Sequence, residues 1–338
     1  MAALWPVASV PIFLFDGIAM NRQHAGPGSV WADADQVHKE LAERGMSAMG
    51  LRKISLVRPA FDIAFDWALI MVAVSCLYRF GVVAAVPALF VIANRQRALG
   101  NLLHEAGHRN LYRAPRLNDM IAGVFLAPAL LADLARYRSA HARHHAMLGM
   151  SQHDPDYIAP ATRSFPDWWR IYRKLLFSAR AWLASVAGHL VDSNVDAGRR
   201  VMLVGWWAAL AALLALSAGP KFAGVFVVSW YVAKATGFHA ITTWREMCDH
   251  YGMTAGGIYS FTRDVAVARH WRWIVHPHNN GYHLTHHLVP AVPYYRLPEV
   301  WRTLSCLPSY CARGVVCTSY LWGSAAVVRC RQSMAPAR

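Results

Sequence analysis

The stretch Val201–Pro220 carries no charged residue. It has about the 20 residues an α-helix needs to cross a bilayer, and it constrains the fold more than any other feature of the chain. Three weaker apolar runs accompany it. Phe61–Tyr78 is apolar except for Asp62 and Asp66 near its start. Phe80–Asn94 is short, but extends through Arg95 and Arg97, whose long side chains can reach an interface. Phe222–Trp244 is interrupted by Lys234. Turn residues at Arg79-Phe80-Gly81 and at Ala218-Gly219-Pro220-Lys221 pair the runs into two hairpins, 61–78 with 80–97 and 201–219 with 222–241. The expected fold class is therefore all-α: an integral membrane protein with four transmembrane helices in two hairpins.

Composition and charge agree with a membrane setting. Only 16% of residues are charged, against about 25% in soluble domains, and the mean hydropathy is +0.23. The net charge of +15 is not accompanied by a nucleic-acid-binding fingerprint, so nucleic acid is not an expected partner. Fifteen Arg and Lys lie between residues 95 and 200, whereas the tight turns near Arg79 and Lys221 hold almost none. That asymmetry follows the positive-inside bias and puts the long basic segments on the cytoplasmic side of the cell membrane. Met120–Ala132 is apolar but short and broken by Pro128, which suits a re-entrant or interfacial helix. Ala2–Phe15 lacks the basic flank of a signal peptide. Met20 and Met46 are candidates for an alternative start. Residues 1–55 are expected to form a partly disordered cytoplasmic arm, and 326–338 a tail. None of the six cysteines forms a C-x-x-C pair, so no zinc-finger or iron–sulfur spacing is encoded.

Eight histidines fall in three clusters: His104-Glu-Ala-Gly-His108, His141-Ala-Arg-His144-His145 and His283-Leu-Thr-His286-His287. Spacings of three and four place imidazoles on one helical face, a turn apart, where they can close on a metal ion. Both hairpins beginning and ending in the cytoplasm would carry helix 80–97 on toward His104 and helix 222–241 on toward His250. All the clusters then meet in one cytoplasmic cap.

All-imidazole sites suit zinc, copper, iron or nickel. The run His104-Glu105-x-x-His108 also fits the zincin pattern, but a mononuclear zinc site needs only three protein ligands. Haem ligation needs one or two histidines within the spans, which these are not. So many imidazoles suit two ions with open positions, and two redox-active ions beside a membrane point toward oxygen chemistry on an apolar substrate.

The three boxes, H-x-x-x-H, H-x-x-H-H and H-x-x-H-H, resemble those of the membrane fatty acid desaturase family, which includes hydroxylases and ketolases. The flanks agree at Gly149 through Asp154-Pro155-Asp156 and at Asn280 through Pro298. The likeness covers residues 56–325. It implies a non-haem centre of two iron ions, molecular oxygen, a fatty acyl substrate on a lipid or acyl carrier, and an external donor such as a ferredoxin or a cytochrome b5-like protein. It also implies that His250, in Glu246-Met-Cys-Asp-His250, joins His104, His108, His141, His144, His145, His283, His286 and His287 as a metal ligand.

One departure stands out. Some family members carry asparagine four residues before this last histidine, where this chain has Glu246, on the same face as His250 and His239. Glu246 is a candidate oxygen ligand or an ordinary paired acid. Asp249 and Asn280 are candidates for orienting a ligand. His276 and His278 are expected at the surface or behind the ligands. His24, His38, His153, His189 and His270 are expected to be ordinary histidines. Desaturation and hydroxylation remain alternatives at this point, the latter on an alkane, carotenoid, sterol or other lipid, since His250-Tyr251-Gly252 also resembles alkane hydroxylases. A non-enzymatic metal transporter or sensor is the third alternative.

Overall fold

A computed structural model of the protein describes residues 29–158 and 165–330. His24 lies outside them. The described residues are mostly helical, with one parallel pair of two-residue strands, β1 (Asp264–Val265) and β2 (Val316–Cys317).

Four helices form the apolar body: α2 (Arg58–Phe80), α3 (Ala85–Gly107), α8 (Ala197–Ala218) and α9 (Pro220–Ala233). Between them in the chain lie α4 (Pro115–Phe125), α5 (Leu134–Ala146), α6 (Phe165–Leu176) and α7 (Ala179–Ala187), and α1 (Val30–Glu43) precedes them all. Helix α2 stops at Gly81, whose φ of 60° suits a residue without Cβ, and α3 folds back along it. The acids that interrupt this apolar run are all paired. Asp66 meets Arg95 Nη1 at 2.8 Å and His278 Nε2 at 2.7 Å, while Asp62 accepts from Arg58 Nε at 2.7 Å and from the Tyr294 hydroxyl at 2.5 Å. A charge in an apolar segment is tolerable only when satisfied in this way. The second hairpin turns at Gly219 (φ 90°) and restarts on Pro220. Trp230 joins the two hairpins, stacking on Trp67 of α2 at 5.4 Å and meeting Trp207 of α8 edge-on at 5.4 Å.

The outer faces of these helices remain apolar. Val82 is 87% exposed and Leu216 89%, with Val83, Val86, Val201 and Met202 similar. Contiguous exposed apolar side chains of this kind mark a face that meets a membrane or another protein. The helical stretches Arg58–Gly107 and Ala197–Ala218 are each long and apolar enough to cross a membrane.

Helix α9 does not end at Ala233. It passes through a π-helical turn, Lys234–Phe238, into α10 (His239–His250). The interrupting Lys234 is buried, its ammonium donating to the Ser185 carbonyl at the end of α7. The apolar segment around Met120 forms the short helix α4 and a 3-10 turn at Pro128–Leu130, then bends by 87° into the polar helix α5. Asp133 caps α5 by accepting from Arg136 N at 2.7 Å.

The segment expected as a polar arm is partly built into the fold. Helix α1 turns Asp33, Val37, Glu40 and Leu41 to one face, and all four are buried. Asp33 pairs with Arg313 at 2.5 Å, and Glu40 accepts from Ser309 Oγ at 2.7 Å. These partners lie some 270 residues away in sequence. Likewise Ala326, Val327 and Val328, expected to begin a tail, are buried. Two further helices complete the region around the histidines, α11 (Arg269–Val275) and α12 (His283–Leu288).

Candidate metal centre

Each histidine cluster sits where a helix meets the others. His104 lies in the last turn of α3 and His108 caps its C-terminus. His141, His144 and His145 occupy the last two turns of α5. His250 ends α10, and α12 supplies His283, His286 and His287. The ring nitrogens gather into two groups. His104, His108, His141, His145 and His286 form one; His144, His250, His283 and His287 form the other. Within each group the potential ligand atoms lie within 4.8 Å of one another. Helices α5 and α12 contribute to both groups.

The Nε2 atoms face inward. His141 Nε2 stands 2.8 Å from His108 Nε2 and 3.1 Å from His145 Nε2, and His145 Nε2 stands 3.2 Å from His286 Nε2. In the second group His283 Nε2 is 2.9 Å from His250 Nε2 and 3.1 Å from His287 Nε2. An imidazole nitrogen has one in-plane position, filled by either a proton or a lone pair. His141 and His283 each face two such neighbours, so hydrogen bonds among the rings cannot satisfy them all. His104 Nε2 has no protein partner although it is buried. A cation at the centre of each group would satisfy every converging lone pair, so the donor set fits a metal.

Two of the outward nitrogens, on His144 and His250, are hydrogen-bonded, and a third, on His283, faces a carboxylate. His144 Nδ1 meets Asp154 Oδ1 at 2.7 Å, His250 Nδ1 meets the Phe261 carbonyl at 3.0 Å, and Asp249 Oδ2 lies 3.6 Å from His283 Nδ1. An Nδ1–H given to an outer acceptor leaves the Nε2 lone pair free for a metal. Asp154 is itself fixed by the N–H of Gly149 at 2.8 Å. Gly149 has φ +76°, and a Cβ there would lie 2.8 Å from Phe261, the ring that stacks on His250. In α12, the N–H and hydroxyl of Thr285 both donate to buried Asp264, at 3.0 and 2.6 Å.

Burial, reinforced by neighbouring histidines, pushes His283, His286 and His287 well below their ordinary pKa and His250 down to about 4. These rings stay neutral at pH 7, the form that binds metal. His144 goes the other way. Burial opposes its charge, but the Asp154 hydrogen bond and the nearby Asp156 carboxylate raise its pKa overall.

The remaining candidates take other places. Glu246 joins neither group, and its carboxylate accepts from Arg245 Nη1 at 2.8 Å. Asn280 Oδ1 accepts from Arg245 Nε at 2.8 Å. Asp249 is fully buried between Arg245 Nη2 at 2.7 Å and His276 Nε2 at 3.3 Å. Arg245, which carried no sequence signal, thus joins all three. His276 is fully buried rather than at the surface, and Tyr320 OH meets its Nδ1 at 2.7 Å. His278 holds Asp66 on α2, and His239 lies against Ser185 Oγ at 2.8 Å. His189 Nδ1 accepts from Asp133 N, while His38, His153 and His270 are exposed. Glu105, the would-be zincin base, accepts from Tyr294 N at 3.0 Å.

The profile of the fatty acid desaturase family matches residues 80–313, which span the apolar helices α3, α8 and α9 and the nine histidines of the two groups. The chain is 26% identical over 245 residues to a dihydrorhizobitoxine desaturase of Bradyrhizobium elkanii, covering 66% of this chain and 68% of that protein. It is 25% identical over 229 residues to a chloroplastic omega-3 fatty acid desaturase of Ricinus communis, covering 60% of this chain and 49% of that one. Apolar helices and family together point to membrane association. With converging imidazoles beside apolar helices and a profile match over most of its length, the chain belongs to the fatty acid desaturase family and is a desaturase-type oxidoreductase.

Proposed function

We propose that this protein introduces a carbon–carbon double bond into a fatty acyl chain at the cytoplasmic membrane, using two iron ions held by the nine histidines. The observation that carries the proposal is the sorting of nine imidazoles into a group of five and a group of four beside an apolar helical body. His104, His108, His141, His145 and His286 would hold one ion, and His144, His250, His283 and His287 the other. When bound, the irons supply an oxygen-derived oxidant able to remove hydrogen from an unactivated C–H bond.

The chain's own part is positional. Hydrogen bonds to Asp154 and to the Phe261 carbonyl keep His144 and His250 facing inward, and the Asp249 carboxylate lies behind His283. Packing of α3, α5, α10 and α12 buries the ring nitrogens and excludes water, which protects the substrate from side reactions. Arg245 holds its charge between Glu246, Asp249 and Asn280, so Glu246 is an ion-pair partner in this reading. Double-bond formation removes two hydrogens from the substrate; with two electrons and two protons from outside, one O₂ becomes two waters. An acidic ferredoxin or a cytochrome b5-like protein would deliver the electrons, steered by the basic charge of the chain.

Helices α2, α3, α8 and the α9–α10 continuation would form four spans, with the histidines on the cytoplasmic side. Exposed valines and leucines along these helices support the spans, and the basic residues between 95 and 200 support the cytoplasmic side. The omega-3 fatty acid desaturase likeness supports a fatty acyl substrate.

The test is expression in a host of defined lipid composition, with iron analysis of the purified protein and mass spectrometry of the lipids. Loss of two hydrogens from an acyl chain with about two irons per chain is expected. Gain of one oxygen would instead make the enzyme a hydroxylase. Bound zinc without oxygen consumption would overturn the proposal.

A further inference from the structure

Outside the two histidine groups, a run of touching aromatic rings leads from the surface toward His250. Tyr251 follows His250 directly in the chain, so its backbone is bonded to a proposed ligand. The Tyr251 ring meets Trp168 edge-on at 5.2 Å, Trp168 meets Trp244 edge-on at 5.6 Å, and Trp244 meets Trp169 at 5.3 Å. Tyr172 adds a second link, 6.2 Å from Trp169 and 5.2 Å from Trp244. Helix α6 supplies Trp168, Trp169 and Tyr172, and α10 supplies Trp244. Tyr251 and Trp168 are buried, whereas Trp169 is 37% exposed. The run therefore starts beside a histidine and ends at the surface.

Packing alone does not call for these side chains. The Trp168 indole N–H is buried with no hydrogen-bond partner among the described residues, a cost that a phenylalanine would avoid. What indole and phenol rings add to an aliphatic core is ease of one-electron oxidation. Electron transfer slows steeply with distance, so short steps between rings in contact outrun one long jump. Two other exposed tryptophans stand apart. Trp322 is 78% exposed and Trp271 55%, and among the described residues neither makes a ring contact with this run.

We propose that Trp169, Trp244, Trp168 and Tyr251 form a relay that drains oxidising equivalents from the histidine groups when no substrate C–H bond is in reach. The relay rests on the oxygen chemistry proposed above, which supplies the oxidant. One electron leaves Trp168 through the Tyr251 ring and the backbone to His250, and reduces the oxidant by one electron. Trp244 refills Trp168, and Trp169 refills Trp244. Trp169 ends one electron short, its indole proton passes to water, and a neutral indolyl radical remains at the surface. A small thiol from solution returns a hydrogen atom, and two of the resulting thiyl radicals join. Two passages thus turn two thiols into one disulfide, with two electrons delivered to the oxidant and two protons to water.

Iron-loaded full-length protein without added lipid would be reduced with dithionite, exposed to air in the absence of thiol, and mapped by peptide mass spectrometry for oxygen added to tryptophan. Trp169 should be modified several-fold more than Trp322 or Trp271, although both are more exposed, and added thiol should suppress the product. Zinc-loaded protein treated alike should lose that preference, because zinc has no redox chemistry. In Trp169→Phe the modification should move inward to Trp244; in Trp244→Phe it should stop at Trp168. Modification that follows exposure, with Trp322 first, in protein that binds iron and takes up oxygen would overturn the relay alone. So would an unchanged yield at Trp169 in Trp244→Phe. Protein that binds no iron and takes up no oxygen would overturn the proposed function, and the relay with it.

Discussion

Asp249 touches Arg245, His276 and the back of His283 while wholly removed from water. Replacing it by Asn keeps the size but leaves the Arg245 charge without its closest buried partner and loosens His283. Metal retention or activity of Asp249→Asn should fall about 10–100-fold, the range seen when the outer partner of a ligating histidine is lost. Iron remaining after gel filtration is the measurement, and retention equal to the parent protein would show that Asp249 does not support the site. At this scale eight of the nine imidazoles were legible because helical spacing reports a shared face, and His250 was legible only through the family resemblance. Spacing does not report depth or tertiary partners. Glu246 shares a face with His250 but turns to Arg245, and His276, expected at the surface or behind the ligands, takes the second of these places, buried by contacts from Tyr320 and Asp249. Arg245 was invisible because its three partners become neighbours only after folding.

The hairpins follow the apolar runs closely, since a run of that length has few other options. The expected arm did not reveal helix α1 so readily. Its buried face mixes Val37 and Leu41 with Asp33 and Glu40, so a hydrophobic count over the segment stays low. The acids are buried only because Arg313 and Ser309 receive them. Leu41→Asp should therefore destabilise the protein by several kcal/mol, roughly the 2–5 expected for losing a buried leucine, plus the cost of an unpaired charge. Thermal melting in detergent would report it. An unchanged melting temperature would make α1 a dispensable arm.

For the molecule as a whole, the buried neutral histidines make stability depend on pH. Their folded pKa values lie below the ordinary value of about 6.5, so the unfolded chain binds more protons below that point. Metal-free protein should be most stable above about pH 6.5. It should lose about 1.4 kcal/mol per pH unit for each such histidine as pH falls toward that group's folded value, which is about 4 for His250. His144, raised instead, gives a contribution of opposite sign that is present below about 6.5 and lost as pH rises. Melting temperatures across pH 4–8 would reveal the slope, and a flat profile would contradict it.

The sharing of helices α5 and α12 between the two histidine groups has a consequence for metal uptake. Ordering either helix around one ion pre-orders ligands for the other, so the second ion binds a site whose entropy has already been lost. Loading should be cooperative, with a coupling free energy of about 1–3 kcal/mol between the sites. Native mass spectrometry during iron titration should show empty and doubly loaded protein with little in between. His286→Ala, which removes a ligand from the first group alone, should weaken binding at both. The pair of sites would then act as one switch that counts to two.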